Sequence, residues 1–465
     1  MDTQIKKGDI LELEIEKMAI GGFGIARVNR YVIFVKGAAA GDLVKARVYK
    51  KKKDYSEAKV VEILRPSEDR VEPRCIYYGY CGGCQWQHIK YEAQLRYKHS
   101  LVEEAIFKIA GLNNVPVLDT LPSPEIFEYR NKMEFTFSKK PWLIQSSEPQ
   151  ERPPFSLGLH IPGSFDRVID IKRCLLQPDK GNQILDIVRE YVKKTQTPVY
   201  DMKTHEGFWR FLTLRNSKAF GQWMVNIITA DEAAQVIAPL ADEIYKKVDG
   251  IRTVVNNINK RKAAVAVGDK EIVVLGDGYI EDKIGDFIFR ISANSFFQTN
   301  PKGAEKLYNK VKEYASLSGN EEVLDLYSGT GTIPIFLSHY TKRIIGIEIS
   351  KDAVKDAKEN CKLNRVENCL FIAGDIREVL SKTNLRIKPD VIIADPPRPG
   401  MHKDVIKAII ELGSKRLVYV SCNPATMARD LAILSQAYEI KEIQPVDMFP
   451  HTHHIEVVAK CVKKG

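Results

Sequence analysis

The sequence predicts an α/β protein that ends in a doubly wound parallel sheet, preceded by a small β-barrel and a central α+β region. Three observations support this prediction. Short alternating strands fill the first 64 residues, strands with a few helices fill the middle, and helices alternate regularly with strands after Asn300. The 465 residues therefore divide into 1–64, 74–290 and 291–465, which agrees with a prior of ~150 residues per domain.

Composition indicates a cytoplasmic protein without membrane association. Hydrophobic residues make up 44% and charged residues 28% of the chain, as in ordinary globular proteins. No stretch reaches the ~18 uncharged apolar residues of a membrane helix, and residues 1–8 lack the apolar core of a signal peptide. The net charge of +10 favours a polyanionic partner such as nucleic acid. No obligate protein partner is indicated.

The N-terminal region is predicted to be a five-stranded barrel. Apolar and polar residues alternate over 9–16, glycines at 21–24 form a turn, and short strands follow at 31–35, 42–49 and 58–64. Barrels of this OB type often bind single-stranded nucleic acid. Four lysines at 50–53 occupy a hairpin tip, where they form either a solvated loop or a phosphate contact.

Beyond a proline-containing linker at 65–73, a helix is expected over 91–110, stopped by Gly111. The central region then has strands at 133–138 and 223–229 and helices near 183–194 and 231–248. The C-terminal alternation predicts helices at 301–315, 332–340, 353–364 and 405–412, and strands at 322–327, 343–349, 369–373, 391–394 and 417–421. Ligands are expected at the carboxyl ends of these strands.

A glycine turn between a strand and a helix predicts a cofactor site. Gly329 and Gly331 let the backbone approach a ligand closely where the helix begins. Glu348 ends the next strand, where a ribose hydroxyl pair would be held. An NAD loop would need glycine at position 334, which is Pro334. A purely structural turn would not account for acids at successive strand ends.

Asp325, within the strand before the loop, makes this segment resemble the D-x-x-x-G-x-G loop of class I S-adenosylmethionine (SAM) methyltransferases. Asp375 and Asp395 follow the next predicted strands and complete the acidic set. We therefore expect SAM as cofactor, bound in a Rossmann-like domain of the class I methyltransferase type.

Cys422 ends a buried strand and is followed by Asn423 and Pro424. A thiolate there suits attack on carbon 6 of a pyrimidine, which activates carbon 5 toward an electrophilic methyl group; a base must then remove the carbon 5 proton. Glu456, at the start of the last predicted strand, is the candidate base; it could also be a salt-bridged strand acid. The histidines at 451, 453 and 454 lack the usual zinc ligand spacing.

The segment Asp395-Pro396-Pro397-Arg398 indicates which kind of atom in the substrate is methylated. Enzymes that methylate amino groups usually have an aromatic residue after the prolines, and Arg398 occupies that place. RNA 5-methylcytosine enzymes carry a second cysteine near this position, which the chain lacks. Uracil is therefore favoured over cytosine.

These motifs together resemble the RNA 5-methyluridine methyltransferase family. The resemblance rests on residues 294–300, 395–400, 421–426 and 447–456, and residues 1–64 look like the family's RNA-binding TRAM domain. It implies that Cys422 is the nucleophile and Glu456 the base. It also implies contacts to SAM from a set of four residues: Gln298, Tyr327, Glu348 and Asp395.

The remaining cysteines carry a second prediction. Cys75, Cys81 and Cys84, with Cys174 far downstream, match an iron-sulfur pattern seen in part of this family. Four thiolates suit a [4Fe–4S] cluster or a tetrahedral zinc ion, and the resemblance favours the cluster, in a structural or RNA-positioning role. The other three, Cys361, Cys369 and Cys461, are expected to be buried thiols.

The expected partner is structured RNA. A TRAM-like barrel combined with a cluster favours large-subunit (23S) ribosomal RNA over the transfer RNA T-loop, uridine 54. Two other hypotheses remain at this stage. One is a non-catalytic RNA-binding or chaperone-like protein, and the other is radical chemistry at the cluster, for which the chain lacks a C-x3-C-x2-C motif.

Overall fold

The N-terminal region forms a six-stranded sheet in this computed structural model, which describes residues 5–144, 153–382 and 388–465. The strand order is β1-β5-β6-β4-β3-β2. The strands are β1 (Ile10–Glu14), β2 (Lys17–Met18), β3 (Gly24–Val28), β4 (Tyr31–Lys36), β5 (Leu43–Lys51) and β6 (Tyr55–Arg65).

The structure adds two strands, β2 and β3, that lie outside the predicted strand positions. β1 lies within the predicted strand 9–16 and pairs with β5, whereas β2, which follows that predicted strand directly, pairs with β3. The two ends of the sheet are thus one chain segment, which closes the barrel over a core that includes Leu13, Ile33 and Val44. The lysines at 50–53 lie at the β5–β6 turn, as expected.

The central region contains one eight-stranded sheet with the order β14-β13-β12-β11-β7-β9-β10-β8 and a separate hairpin, β15–β16. Two helices pack on the eight-stranded sheet through one apolar core. The elements are β7 (Lys132–Ser138), β8 (Pro141–Trp142), β9 (Ser156–His160), β10 (Val168–Asp170), α2 (Asp179–Thr195), β11 (Trp209–Asn216), β12 (Trp223–Thr229), α3 (Ala234–Lys247), β13 (Ile251–Ile258), β14 (Lys270–Gly276), β15 (Tyr279–Ile284) and β16 (Phe287–Ser292).

A long helix, α1 (Tyr91–Ala105), precedes this sheet and continues as a π-helical turn over Ile106–Ala110. It ends at Gly111, whose φ of 68° is the left-handed conformation that glycine adopts without steric cost. Val102 and Ile106 pack into the core of the C-terminal domain. Helix α1 therefore connects the central region to the C-terminal sheet.

The C-terminal domain is a seven-stranded sheet with the order β19-β18-β17-β20-β21-β23-β22. Its first five strands are parallel, as predicted. The elements are α4 (Pro301–Ala315), β17 (Glu322–Leu326), α5 (Thr332–Leu337), β18 (Arg343–Glu348), α6 (Lys351–Leu363), β19 (Cys369–Ala373), α7 (Ile376–Lys382), β20 (Val391–Ala394), α8 (Lys403–Leu412), β21 (Arg416–Ser421), α9 (Pro424–Leu434), β22 (Tyr438–Val446) and β23 (Glu456–Lys463).

The last two strands differ from the predicted parallel sheet. β23 runs antiparallel to β21, and β22 runs antiparallel to β23. The sheet is therefore mixed, because a hairpin instead of a helical crossover supplies its last strands. Among the described helices, none is long and apolar enough to cross a bilayer.

Candidate active site

A cleft of about 1190 Å³ lies at the carboxyl ends of β17, β18, β20 and β21, the edge where a parallel sheet binds its ligands. Most of the predicted catalytic and cofactor residues line it: Gln298, Tyr327, Gly329, Glu348, Asp395, Cys422 and Glu456. Gly331 and Asp375 do not line it. Among these predicted residues, the cleft brings together Gln298 and Glu456, which are 158 positions apart in the sequence.

The antiparallel pairing of β21 with β23 brings the two predicted catalytic residues together. Ser421 pairs with Val457, so the next residue of each strand places Cys422 opposite Glu456. Side chains directly opposite in such a pair lie on the same face of the sheet. A parallel final strand would have carried Glu456 to the opposite end of the sheet.

The segment after Asp395 is fixed against the start of α9. Asn423 donates its Nδ2–H to the Arg398 carbonyl over 3.2 Å, and the Thr426 hydroxyl donates to the same oxygen over 3.2 Å. Asn423 also caps α9 by accepting from the backbone N–H of Ala425 at 3.1 Å. These bonds hold Arg398 in the wall of the cleft beside Cys422.

Burial controls the protonation of Cys422 and Glu456, the two predicted catalytic residues. Desolvation, followed by the carboxylates of Glu456 and Asp395, raises the pKa of Cys422 to about 11, while Arg398 opposes the shift. Burial, followed by Asp395, raises the pKa of Glu456 well above its usual value. Arg398 is the cation that lowers both pKa values, and it stabilises the charged forms that catalysis would need.

The glycine turn has the left-handed backbone that its sequence predicts. Tyr327 has a φ of 68° and Gly331 a φ of 77°. A Cβ atom at Gly331 would meet Phe371 at 2.8 Å and Ala357 at 2.9 Å. Gly331 is therefore required for close packing of the turn on the sheet, and only Gly329 reaches the cleft.

Glu348 lies where the sequence predicts it, and its carboxylate is partly satisfied by the chain itself. One oxygen accepts from the backbone N–H of Gly329 at 3.0 Å and the other from that of Ser350 at 2.8 Å. A carboxylate can accept about four hydrogen bonds, so capacity remains for a pair of ribose hydroxyls.

Asp375 is held elsewhere. Its carboxylate accepts two hydrogen bonds from the Arg377 guanidinium, at 3.0 and 2.6 Å, which lowers the pKa of Asp375 to about 2. The residue follows β19 as predicted, but its side chain is engaged with this neighbour and lies outside the cleft lining. Its predicted contact with the cofactor stays a prediction.

Two acids with raised pKa values lie in or directly after the neighbouring strands β17 and β20: Asp395 lines the cleft, and Asp325 is buried. Burial raises the pKa of Asp395 to about 6. The pKa of Asp325 rises to about 8 through burial, with Asp395 and Glu348 adding to the shift, and both of its carboxylate oxygens lack a hydrogen-bond partner among the described residues. Such a group favours a nearby cation, because a positive charge would stabilise its ionised form. A sulfonium ligand meets that requirement.

The loop that joins β22 to β23 forms another wall of the cleft, and α1 holds it in place. The Lys98 ammonium donates to Asp447 at 2.6 Å, and both side chains are 0% exposed. Tyr91 donates its hydroxyl to the other Asp447 oxygen at 2.9 Å. Breaking a buried ion pair on one side costs about 3–5 kcal/mol. This loop therefore has one strongly favoured position.

The histidines in the same loop have structural partners. His451 has a φ of 65°, and its backbone N–H donates to the Gln94 side chain at 2.8 Å. His453 stacks on His454, with ring centroids 4.2 Å apart. No group of three or more His, Cys, Asp or Glu side chains in 5–144, 153–382 or 388–465 is placed to hold a metal ion.

Three lining residues carry features that the sequence did not assign. Phe296 is 67% exposed although it is a large aromatic side chain, and it faces the cleft. His454 lines the cleft beside Glu456, and Arg130 reaches it from the central region. The sequence could have indicated Phe296 as a cleft residue by its place two residues before Gln298. No local pattern distinguishes Arg130.

The four cysteines of the predicted cluster line one cavity of about 350 Å³ in the central region. Cys75, Cys81 and Cys84 come from the loop before α1, and Cys174 from the segment before α2. Burial raises the pKa of both Cys81 and Cys84 to about 12. Arg130 and Thr299 line both this cavity and the catalytic cleft, so the two cavities are neighbours.

Two of these four thiols already accept hydrogen bonds from N–H groups, although among the described residues the cysteines do not form a group placed to hold a metal ion. The backbone N–H of Gly83 donates to the Cys81 sulfur at 3.3 Å, and the Gln87 amide donates to the Cys84 sulfur at 3.3 Å. Such N–H···S bonds commonly surround cluster thiolates.

Two family models match the chain. One is described as tRNA (Uracil-5-)-methyltransferase and covers residues 238–463, and the other is the TRAM domain, over residues 4–61. The second match coincides with the N-terminal barrel. The first includes the whole C-terminal sheet and every residue of the cleft named above except Arg130.

Full-length relatives agree with these matches. An RNA methyltransferase of Chlorobaculum tepidum is 41% identical over 475 residues, covering 100% of this chain and 98% of that protein. One of Bacteroides thetaiotaomicron is 41% identical over 450 residues, covering 95% and 99%. The crystal structure of Pyrococcus abyssi tRNA (uracil-54, C5)-methyltransferase with S-adenosyl-L-homocysteine has a TM-score of 0.76 at 30% identity, covering 97% and 100%.

The fold and its cleft define a SAM-dependent methyltransferase. The chain belongs to the RNA (uracil-5-) methyltransferase family, as these relatives and the matched models show. Its N-terminal barrel is a TRAM domain.

The buried acids give SAM binding a pH dependence. Between about pH 5.5 and pH 8.5, Asp395 and then Asp325 lose their protons, because their pKa values are about 6 and about 8. A cationic ligand prefers the ionised carboxylates, so SAM affinity should rise with pH. We expect a gain of roughly tenfold, equivalent to one pKa unit, measured by isothermal titration calorimetry.

S-adenosyl-L-homocysteine is the matched control, since it differs from SAM only in lacking the methyl group and, with it, the sulfonium charge. Its affinity should change much less over this pH range. The variant Asp395→Asn should flatten the SAM curve. Equal pH profiles for the two ligands would contradict the assignment of these acids.

Proposed function

We propose that the protein makes 5-methyluridine in structured RNA, using Cys422 as nucleophile and Glu456 as base. The observation that supports this most strongly is the pairing of β21 with β23, which sets Cys422 opposite Glu456 in the cleft. Neither residue has another apparent function there. Arg398, the neighbouring cation, complements the charges that both must carry.

Bound SAM supplies an electrophilic methyl group. The target uracil leaves its stack and enters the cleft, where the exposed Phe296 offers a stacking surface. The Cys422 thiolate adds to carbon 6, and carbon 5 becomes nucleophilic and takes the methyl group, whose bond to the sulfonium sulfur breaks to leave S-adenosyl-L-homocysteine. Glu456 then removes the carbon 5 proton, and the carbon–sulfur bond breaks to release Cys422. The raised pKa of Glu456 makes its carboxylate a stronger base.

Ribosomal RNA of the large subunit is the proposed substrate, on the combination of a TRAM domain with a cysteine cavity. The uridine of the transfer RNA T-loop is a second candidate. It is favoured by the likeness to the Pyrococcus abyssi tRNA (uracil-54, C5)-methyltransferase, whose whole length aligns with this chain.

Mapping 5-methyluridine in RNA from cells with and without this protein distinguishes the two candidates. Loss of a large-subunit ribosomal site supports the first, and loss of the T-loop site supports the second. Unchanged 5-methyluridine in every RNA would refute the proposed function.

We also propose that Cys75, Cys81, Cys84 and Cys174 hold a [4Fe–4S] cluster. The cavity that they line, and the N–H···S bonds at Cys81 and Cys84, support this. Residues 85 and 86, which follow Cys84 directly, donate their backbone N–H groups to the His451 carbonyl at 2.9 Å. A rigid cluster segment would therefore also stabilise the loop that forms the catalytic cleft.

Protein purified without oxygen should contain iron and acid-labile sulfide in equal amounts, with little zinc. The variant Cys81→Ser should lose both, because serine is a poor ligand for iron in such clusters. The variant Cys369→Ser, whose thiol lies outside the cavity, should retain them. Stoichiometric zinc without sulfide in the wild type would contradict the cluster.

A further inference from the structure

The loop between β13 and β14, residues 259–269, lies at the rim of the catalytic cleft. Val267 lines the cleft, as does Glu271 just after the loop. Lys260, Arg261 and Lys262 follow one another in this loop, and all three are exposed. We call residues 259–269 the basic loop.

A buried arginine organises the basic loop from below. Arg210, on β11, is 2% exposed. Its guanidinium donates to the carbonyl oxygens of residues 259, 261 and 263 at 2.5, 2.7 and 2.8 Å. The same guanidinium stacks over Tyr200, 4.3 Å from the ring centroid. The backbone carbonyls that face Arg210 are thus satisfied, and the loop keeps one shape before any partner binds.

The exposed surface of the loop has the mixed character that nucleotides require. Val265 and Val267 are 40% and 43% exposed, next to the three cations. Apolar side chains can contact sugar and base, while lysine and arginine contact phosphate. A loop that contacted only solvent would need neither the exposed Val265 and Val267 nor the three hydrogen bonds from Arg210 to its carbonyl oxygens.

The acids near the loop do not block it. Lys260 pairs with Asp231 at 3.2 Å and Arg261 pairs with Asp269. All four side chains are more than 40% exposed, and such surface pairs contribute only about 0–1 kcal/mol. Among the described residues no acid forms an ion pair with Lys262. A phosphate group can therefore displace these carboxylates.

We propose that the basic loop binds the sugar-phosphate backbone of the substrate RNA next to the target uridine, with Arg210 as its positioning residue. This inference rests on the proposed function, because a base that enters the cleft draws its flanking nucleotides across the rim. Val267 and Lys262 are five residues apart, which is at most roughly 17 Å of chain. A preorganised loop also lowers the entropic cost of binding.

Direct binding tests the proposal without methyl transfer. A fluorescein-labelled RNA stem–loop is titrated with the full-length protein at several salt concentrations. The double variant Lys260→Ala with Arg261→Ala should reduce the slope of log affinity against log salt by about 1.4–1.8, since each lost phosphate contact contributes roughly 0.7–0.9. In methylation assays the same variant should raise KM and leave kcat nearly unchanged.

The matched control is the double variant Lys246→Ala with Lys247→Ala on α3. It also removes two exposed cations, each paired with an acid at 2.7 or 2.6 Å, so the change in net charge is the same. Its salt slope should equal that of the wild type. Equal slopes for the two double variants would overturn the proposal.

Arg210→Lys separates the shape of the loop from its charge. This variant keeps the net charge but cannot bind three carbonyls at once, so RNA affinity should fall several-fold; unchanged affinity would contradict the positioning role. If this variant does not fold, the double variant at Lys260 and Arg261 tests the proposal by itself. Loop variants that bind RNA normally but lose binding to polyglutamate would assign the loop to an acidic protein and overturn the RNA proposal.

Failure of the two proposals can be told apart. A reduced salt slope in protein that methylates no RNA would refute the proposed function and leave RNA binding by the loop intact. Normal methylation by the loop variant, with an unchanged salt slope and KM, would refute RNA binding by the basic loop and leave the proposed function intact.

Discussion

Cys422→Ala is expected to abolish transfer of labelled methyl groups from SAM to RNA. Without the thiolate, carbon 5 of uracil is a poor nucleophile. Correct pairing of the strands and bound cofactor cannot compensate for that loss. Removal of a catalytic nucleophile costs at least roughly 10⁴-fold in rate. The measurement is incorporation of tritiated methyl into RNA by purified protein.

Two controls make this result specific. SAM affinity of Cys422→Ala should stay within about twofold of wild type, because the cofactor side of the cleft is formed by other residues, such as Glu348 and Asp395. Cys369→Ala, which alters a thiol outside the cleft, should methylate normally. Substantial methylation by Cys422→Ala would refute the covalent mechanism.

Glu456→Gln should instead accumulate a covalent protein–RNA adduct. Glutamine has nearly the size of glutamate, so Cys422 should still add to the base and the methyl group should still arrive. The carbon 5 proton would then have no acceptor, and elimination would slow by roughly 10²–10⁴-fold, the usual contribution of a general base. A band of reduced mobility on a denaturing gel, carrying both RNA and labelled methyl, reports the adduct.

The adduct must depend on the thiol. Combining Glu456→Gln with Cys422→Ala should remove the band, and Glu439→Gln, an acid on β22 paired with Lys441, should behave like wild type. Turnover at the wild-type rate by Glu456→Gln would transfer the role of base to another group. His454, which lines the same cleft, is the next residue to examine.

The alternative of a non-catalytic RNA-binding protein does not agree with family membership. The relatives that cover this chain almost completely are RNA methyltransferases, and the nucleophile and base candidates occupy one cleft. The TRAM domain still supplies an RNA-binding part. Binding and catalysis thus belong to different regions of one chain.

Much of the C-terminal fold was predictable because its signals are local. Apolar runs bounded by glycine and proline located the parallel strands within a residue or two, and α4 matches its predicted bounds. The acids at strand ends pointed to the cleft because parallel strands end at one edge. Asp375 is the exception, since its short-range pairing with Arg377 depends on side-chain geometry.

Other features needed the tertiary structure. β1 and β2 are separate strands because the chain leaves its pairing with β5, which is distant in sequence, and pairs next with β3. Arg130 and Arg210 carry no local signature, since their importance comes from where they are buried. The buried ion pair between Lys98 and Asp447 joins residues 349 positions apart. No periodic pattern in the sequence indicates it.

The sequence by itself predicted the chemistry: a SAM loop, a cysteine at the end of a strand, a late glutamate and three closely spaced thiols. Each of these signals is a residue type at a characteristic place in a short stretch of sequence, so it can be recognised from the sequence alone. The tertiary structure decided the direction of β23, which sets Glu456 opposite Cys422. Strand direction depends on packing between distant segments, so only the folded chain could decide it.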